Sequence, residues 1–194
     1  MRLSVRQTVC ILVLTSSALR AADVVDLTWR PDTQIARLHG FVEFDLYAVS
    51  VGDEPRSVAA MDVVLTWDAN RLELLGVIDN GPYGWLFSGF LPDPLGGLNA
   101  SLADGDAKYT ALVRFGEVAY ATPDGLLVTT FQFRALALAD ESELVIEAEL
   151  GEHSVTTVFG GEAPGVDVTG RLGRARATVF SGGDCDGVDG VSAP

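Results

Sequence analysis

The 194-residue chain predicts an all-β fold: a two-sheet antiparallel β-sandwich of about nine strands, with jelly-roll or Greek-key connections. Three observations carry this. Apolar and polar residues alternate with period 2 in segment after segment. No stretch holds a long 3.6-residue periodicity. The composition, with 48% hydrophobic residues and 21 Gly, suits a compact, turn-rich chain rather than a disordered one. The length suggests one domain, and about 150 residues can bury about 68–70% of their unfolded surface, enough for a core without disulfides.

Each element has its own reason. An apolar run at 24–29 opens the series. Val42, Phe44, Leu46 and Ala48 then alternate with Glu43, Asp45 and Tyr47. In 58–67, Met61, Val63, Leu65 and Trp67 share one side and read as the buried face of a strand. Asp68-Ala69-Asn70 breaks that strand into a turn, because short Asx side chains bond nearby backbone. A second apolar run, 72–78, follows at once. The loop from Asp79 to Leu98 holds Tyr83, Trp85, Phe87 and Phe90 among Gly and Pro. Phe87 and Phe90 read as a short strand at the sandwich edge. Tyr83 and Trp85, beside the Gly-Pro turn, are the candidate ligand or partner contacts, since exposed aromatics serve both sugar rings and protein hot spots.

Further along, Tyr109, Ala111, Val113 and Phe115 alternate with Lys108, Thr110 and Arg114. Leu127, Thr129, Phe131, Phe133 and Ala135 alternate with Val128, Thr130, Gln132 and Arg134. Ala135 to Ser142 is helix-friendly and reads as a connector or a single turn. Leu144, Ile146, Ala148 and Leu150 alternate with Glu143, Glu147 and Glu149, and apolar runs at 153–159 and 175–180 complete the set. One polar and one apolar face per strand is what antiparallel sheets with a solvated side require.

The strand ending in Trp67-Asp68, followed by Leu72-Glu-Leu74 and Gly76-Val77, resembles the Tyr-Asp-Pro-x-x-Leu region of cohesin domains and their cellulose-binding relatives. A second likeness is the strand that opens at Asp124-Gly125 and ends Phe133-Arg134-Ala135, since in cohesin-like domains a Gly-led strand similarly ends in Phe, a basic residue and Ala. The order and spacing match over roughly 24 to 180. Two departures stand out: Ala69 replaces the usual Pro, and Trp67 stands where Tyr is common. Both keep an aromatic strand end and a tight turn. The resemblance implies a secreted β-sandwich binding module, taking a dockerin-type module through a sheet face or a polysaccharide directly, in extracellular polysaccharide degradation. It assigns no contact residue to this chain.

The ends differ from the body. Arg2 and Arg6 precede a short apolar stretch from Thr8 to Leu19, with Leu19-Arg20-Ala21 at a signal-peptidase position, so residues 1–21 read as a cleaved signal peptide. About twelve apolar residues are too few to span a bilayer, and no later segment is apolar for long enough to cross one. The expected domain is 22–180, exported and extracellular. Loss of Arg2, Arg6 and Arg20 leaves 10 basic against 27 acidic residues, a net charge of −17. Such a field repels phosphate backbones, which argues against nucleic acid as a partner. Residues 181–194 read as a flexible Gly/Asp-rich tail. Its Asp184, Asp186 and Asp189 resemble the opening of a dockerin calcium repeat, but Val188 takes the fifth ligand position and Asp189 the place of the Gly, so no metal site is expected. Cys185 is the one thiol left after cleavage.

Nothing in the sequence specifies catalysis. His39 and His153 are far apart, and no His-Glu-x-x-His, CxxC or Gly-x-Ser-x-Gly is present. No catalytic residue, cofactor or metal is expected. Asn99-Ala100-Ser101 fits a glycosylation sequon. The reading is a non-catalytic binding module, against two alternatives: a glycoside-hydrolase-type enzyme with an unrecognised site, or a structural surface or adhesion protein.

Overall fold

The computed structural model describes residues 24–162 and 165–181. The expected signal peptide and most of the tail, with Cys185 and its aspartates, lie outside the described residues. Fifteen strands run in chain order: β1 (Val25–Arg30), β2 (Thr33–Arg37), β3 (Phe41–Ser50), β4 (Arg56–Trp67), β5 (Leu72–Ile78), β6 (Phe87–Phe90), β7 (Asp106–Leu112), β8 (Ala119–Ala121), β9 (Leu126–Ala135), β10 (Ala139–Glu147), β11 (Glu149–Leu150), β12 (Ser154–Val155), β13 (Thr157–Gly160), β14 (Thr169–Leu172) and β15 (Arg174–Phe180). Among the described residues there is no helix.

The architecture is the expected two-sheet sandwich. One sheet has five strands in the order β14-β1-β3-β9-β5. The other has eight, ordered β2-β15-β10-β4-β7-β6, with β8 and β13 both pairing β4. The strand number exceeds nine because short edge segments and the small β11–β12 hairpin each add to the count. Most pairings are antiparallel; β1 runs parallel to β14 and β2 to β15. The early strands β1 and β2 therefore enter opposite sheets and join both to the C-terminal strands.

Between the sheets lies one apolar core. Trp29, Phe44, Phe131, Phe133 and Tyr109 are fully buried and meet edge to face, with Trp29 5.3 Å from Phe131 and Tyr109 5.3 Å from Phe131 between ring centroids. Such contacts add to area burial because each positive ring edge meets a negative face. Trp67 closes the end of β4 as expected: it is buried, stacks edge-on against Phe133 at 5.5 Å and donates its indole N–H to the Leu72 carbonyl at 3.0 Å. The Asx turn follows, with the Asn70 N–H on Asp68 Oδ1 at 3.0 Å.

Two expectations are corrected and a third is narrowed. The alternation expected from Leu127 reverses only at the start of β9, where Leu126 and Val128 face the core, while Phe131, Phe133 and Ala135 are buried as expected. A register shift opposite Leu46/Tyr47 inserts one extra residue into β9, and a bulge of that kind switches side-chain parity. Phe115, expected inward on a strand, is 97% exposed; β7 stops at Leu112 and the Arg114–Glu117 turn carries the ring into solvent. Of the two readings of Ala135–Ser142 the structure has the connector and not the turn: Ala135 ends β9 and Ala139 begins β10. Backbone bonds from Ala135 to Gly40 and from Leu136 to Arg71 use its polar groups elsewhere.

Candidate functional site

The two outer faces of the sandwich differ in chemistry. On the five-stranded sheet the exposed side chains largely satisfy one another. Gln132 donates to Glu43 at 2.8 Å, the Thr130 hydroxyl lies 2.5 Å from Asp45, and Arg134 meets Glu73 at 3.5 Å. Arg30 sits over the Tyr47 ring, 4.4 Å from its centroid. This is a solvated face whose polar groups pair within the chain, with Phe41 and Ile78 exposed among them.

The eight-stranded sheet presents a different surface, built on β4. Met61, Val63 and Leu65 point into the core, so Ala60, Asp62, Val64 and Thr66 point out. In register with them stand Leu112, Thr110, Lys108 and Asp106 of β7, and Phe159 and Thr157 of β13. Ala60, Asp62, Thr110, Leu112, Phe159, Leu91, Pro92 and Lys108 line an open depression of about 270 Å³. Its walls are apolar and its floor carries one carboxylate, Asp62, which accepts the Thr110 hydroxyl at 2.6 Å. Of the lining residues, Leu91 is 41% exposed. Apolar walls around a few convergent polar groups are the usual make-up of a recognition surface.

Two excursions of the chain meet over the middle of this face. Residues 91–98 leave β6 as a strap, and the β11–β12 hairpin interrupts the path from β10 to β13. Asp93 joins them: Ser154 donates to its Oδ2 at 2.6 Å, and Lys108 Nζ lies 3.1 Å from the same oxygen. Asp93 is buried, and the Ser154 hydrogen bond, reinforced by Lys108 and the Gly96 N–H against the cost of desolvation, holds its carboxyl below the usual carboxylate range. Asn99, at φ 61°, fixes both ends of the strap. Its Nδ2 donates to the carbonyls of Leu91 at 2.6 Å and Lys108 at 2.7 Å, while its Oδ1 accepts the Lys108 N–H at 2.9 Å. The amide of the expected sequon is thus occupied by backbone, which sets it against glycan attachment in the folded chain. Beyond the bridge, desolvation and then the neighbouring Asp104 push Asp106 up.

Tyr83 and Trp85 sit elsewhere, where the 79–86 loop crosses the sandwich edge. Both are half-buried, pack on the core and meet edge to face at 4.9 Å. Their polar tips are engaged: the Tyr83 hydroxyl donates to Glu117 at 3.0 Å and the Trp85 indole to the Val128 carbonyl at 3.0 Å. Phe87 and Phe90 form the expected edge strand β6. Nearby, Ser88 lies 2.5 Å from Asp79 and 2.7 Å from the Tyr109 hydroxyl. This network ties the sheets together at their edge; it holds neither a histidine nor an open cavity. His39 occupies the turn between β2 and β3, and His153 the tip of the β11–β12 hairpin. Among the described residues no cluster of three metal-ligating side chains occurs, and no helix is long and apolar enough to cross a membrane.

The sequence pointed to the aromatics and missed Asp62, Leu112 and Phe159. The available signal was Asp62 itself, a lone acid on the outward parity of an otherwise apolar strand.

This geometry defines a two-sheet β-sandwich with a depression on the outer face of its eight-stranded sheet. Comparison with solved structures narrows the class: the chain has the fold of cohesin modules. The seventh type I cohesin of ScaB from Pseudobacteroides cellulosolvens matches with a TM-score of 0.59 at 12% identity, covering 84% of this chain and 97% of that one. A type I cohesin of Clostridium thermocellum solved in complex with a dockerin matches at 0.57 and 12%, over 81% and 99%. The cohesin module of a family 33 glycoside hydrolase from Clostridium perfringens gives 0.58 and 11%, over 82% and 98%. No family model matches the sequence, and no curated protein does.

Proposed function

We propose that this chain is a non-catalytic recognition module that binds a dockerin-type protein on the outer face of its eight-stranded sheet. The observation that supports this best is the open depression on that face, lined by Leu91, Leu112 and Phe159 around the single carboxylate of Asp62. The fold adds to it, since cohesins of this shape have been solved as cohesin–dockerin complexes. A chain this acidic favours a partner with a basic surface over an acidic polymer.

In this reading the chain is exported by its first 21 residues and works outside the cell, in the breakdown of polysaccharides. Sequencing the N-terminus of secreted material should find Ala22 or a residue beside it. The direct experiment titrates the folded chain with dockerin modules and with insoluble polysaccharides. Binding to a dockerin that falls at least thirtyfold in Leu112→Arg, with the fold retained, supports the face. Thirtyfold is about 2 kcal/mol, the scale of a single hot spot. An equal loss in Tyr83→Ala or Trp85→Ala moves the contact to the 79–98 loop, and binding to polysaccharide alone removes the protein-partner reading. Glycan hydrolysis abolished by replacing one carboxylate would make the chain an enzyme.

A further inference from the structure

The open face of the eight-stranded sheet is not open throughout. Val64 points outward between Lys108 and Glu147, yet it is fully buried. The strap and the β11–β12 hairpin meet beside it: Asp93 bonds Ser154 and Lys108, and the Val64 N–H donates to the Thr156 hydroxyl at 2.9 Å. Ser154 is itself fully buried. Gly96 permits this close seating: a Cβ there would stand within van der Waals overlap of Ser154 Oγ and of Asp93. The bridge splits the face. On one side lies the depression around Asp62 and Leu112. On the other lie Thr66, Val145 and the ion pair between Arg176 and Glu141 at 2.7 Å.

We infer that the Asp93–Ser154 bridge is a specificity-determining element of the docking face. It admits only a partner that leaves the strip over Val64 and Lys108 untouched, and it rejects a dockerin-type module that needs the face unbroken. The inference rests on the reading proposed above, and it concerns which partners are accepted rather than whether the face binds. Selectivity of this kind works by obstruction: a bound competitor would have to displace a seated strap and leave the Asp93 carboxylate or the Lys108 ammonium without its partner.

The test uses the full chain and two probes, the Cel5 dockerin solved with a cohesin of Acetivibrio cellulolyticus and the dockerin of the Clostridium thermocellum complex. The native chain is compared with Asp93→Ala/Ser154→Ala and, in case that variant folds poorly, with Gly96→Ala, which unseats the strap by bulk and keeps every polar partner. Acetylation of Lys108, read by mass spectrometry, reports whether the face is uncovered. The expected result is faster Lys108 acetylation in the variants, with affinity for at least one dockerin rising tenfold or more over the native chain. Native and variant chains that bind alike, or variants that bind more weakly, overturn the inference and leave the docking function standing. Lys108 acetylation that stays slow in both variants overturns it too, because the strap then seats without the bridge. If Lys108 is unmasked and neither dockerin binds any chain, the dockerin reading falls and this inference with it.

Discussion

Replacing Asn99 with alanine removes the side chain that holds both ends of the 91–98 strap. Three hydrogen bonds go with it: two donated to the carbonyls of Leu91 and Lys108, and one accepted from the Lys108 N–H. At about 0.5–1.5 kcal/mol each, discounted for partial solvent access, they contribute about 2 kcal/mol. Alanine must also adopt the left-handed backbone at φ 61°, which costs about 1 kcal/mol more than it costs asparagine. The sum for Asn99→Ala is about 3 kcal/mol, while Asn99→Gly, free in that region, should lose only the hydrogen-bond part of about 2 kcal/mol. For a domain of this size about 3 kcal/mol lowers the melting temperature by about 6–12 °C. Urea unfolding of the three chains at matched pH measures both differences, provided the slope with denaturant is unchanged. The reasoning fails if the alanine variant lies within about 0.5 kcal/mol of native, since the strap would then be held by apolar contacts alone. It fails in part if alanine and glycine are indistinguishable, which would mean that the backbone relaxes out of the left-handed region.

Three further outcomes are expected. Burial raises the Tyr109 phenol, with the Ser88 bond pulling the other way. The unfolded chain therefore loses that proton first, and stability should fall as pH rises above about 10, less steeply in Tyr109→Phe; thermal melts from pH 8 to 11 check this. Asp93 is held low, so its contribution is present above the unfolded carboxylate value and is lost as pH falls through the folded one. The stability gap between native chain and Asp93→Asn should accordingly close below about pH 4, as read by denaturant melts across the acid range. Trp85→Phe keeps the ring contact with Tyr83 but drops the bond to Val128, and should cost about 1 kcal/mol of stability; an unchanged melt would show that the indole N–H is solvated instead.

Alternation along single strands determined the fold class and most of the core. Met61, Val63, Leu65 and Trp67, or Val42, Phe44 and Leu46, reach the interior because a strand turns every second side chain the same way. The Trp67-Asp68 turn was likewise legible, since an Asx side chain acts within a few residues of itself. What the tertiary structure alone decided depends on partners remote in the chain. The bulge that turns Val128 inward arises from pairing with β3, and Phe115 is exposed because β7 ends at Leu112, opposite the start of β6, while β4 goes on to pair β8. The proposed docking face is of the same kind. Asp62 becomes the floor of a depression only when β7 and β13 flank β4, and Asp93 meets Ser154 across 61 residues of sequence. Local periodicity records which side of a strand is buried. It holds no record of register between strands or of where two loops meet above a sheet, because those follow from long-range packing.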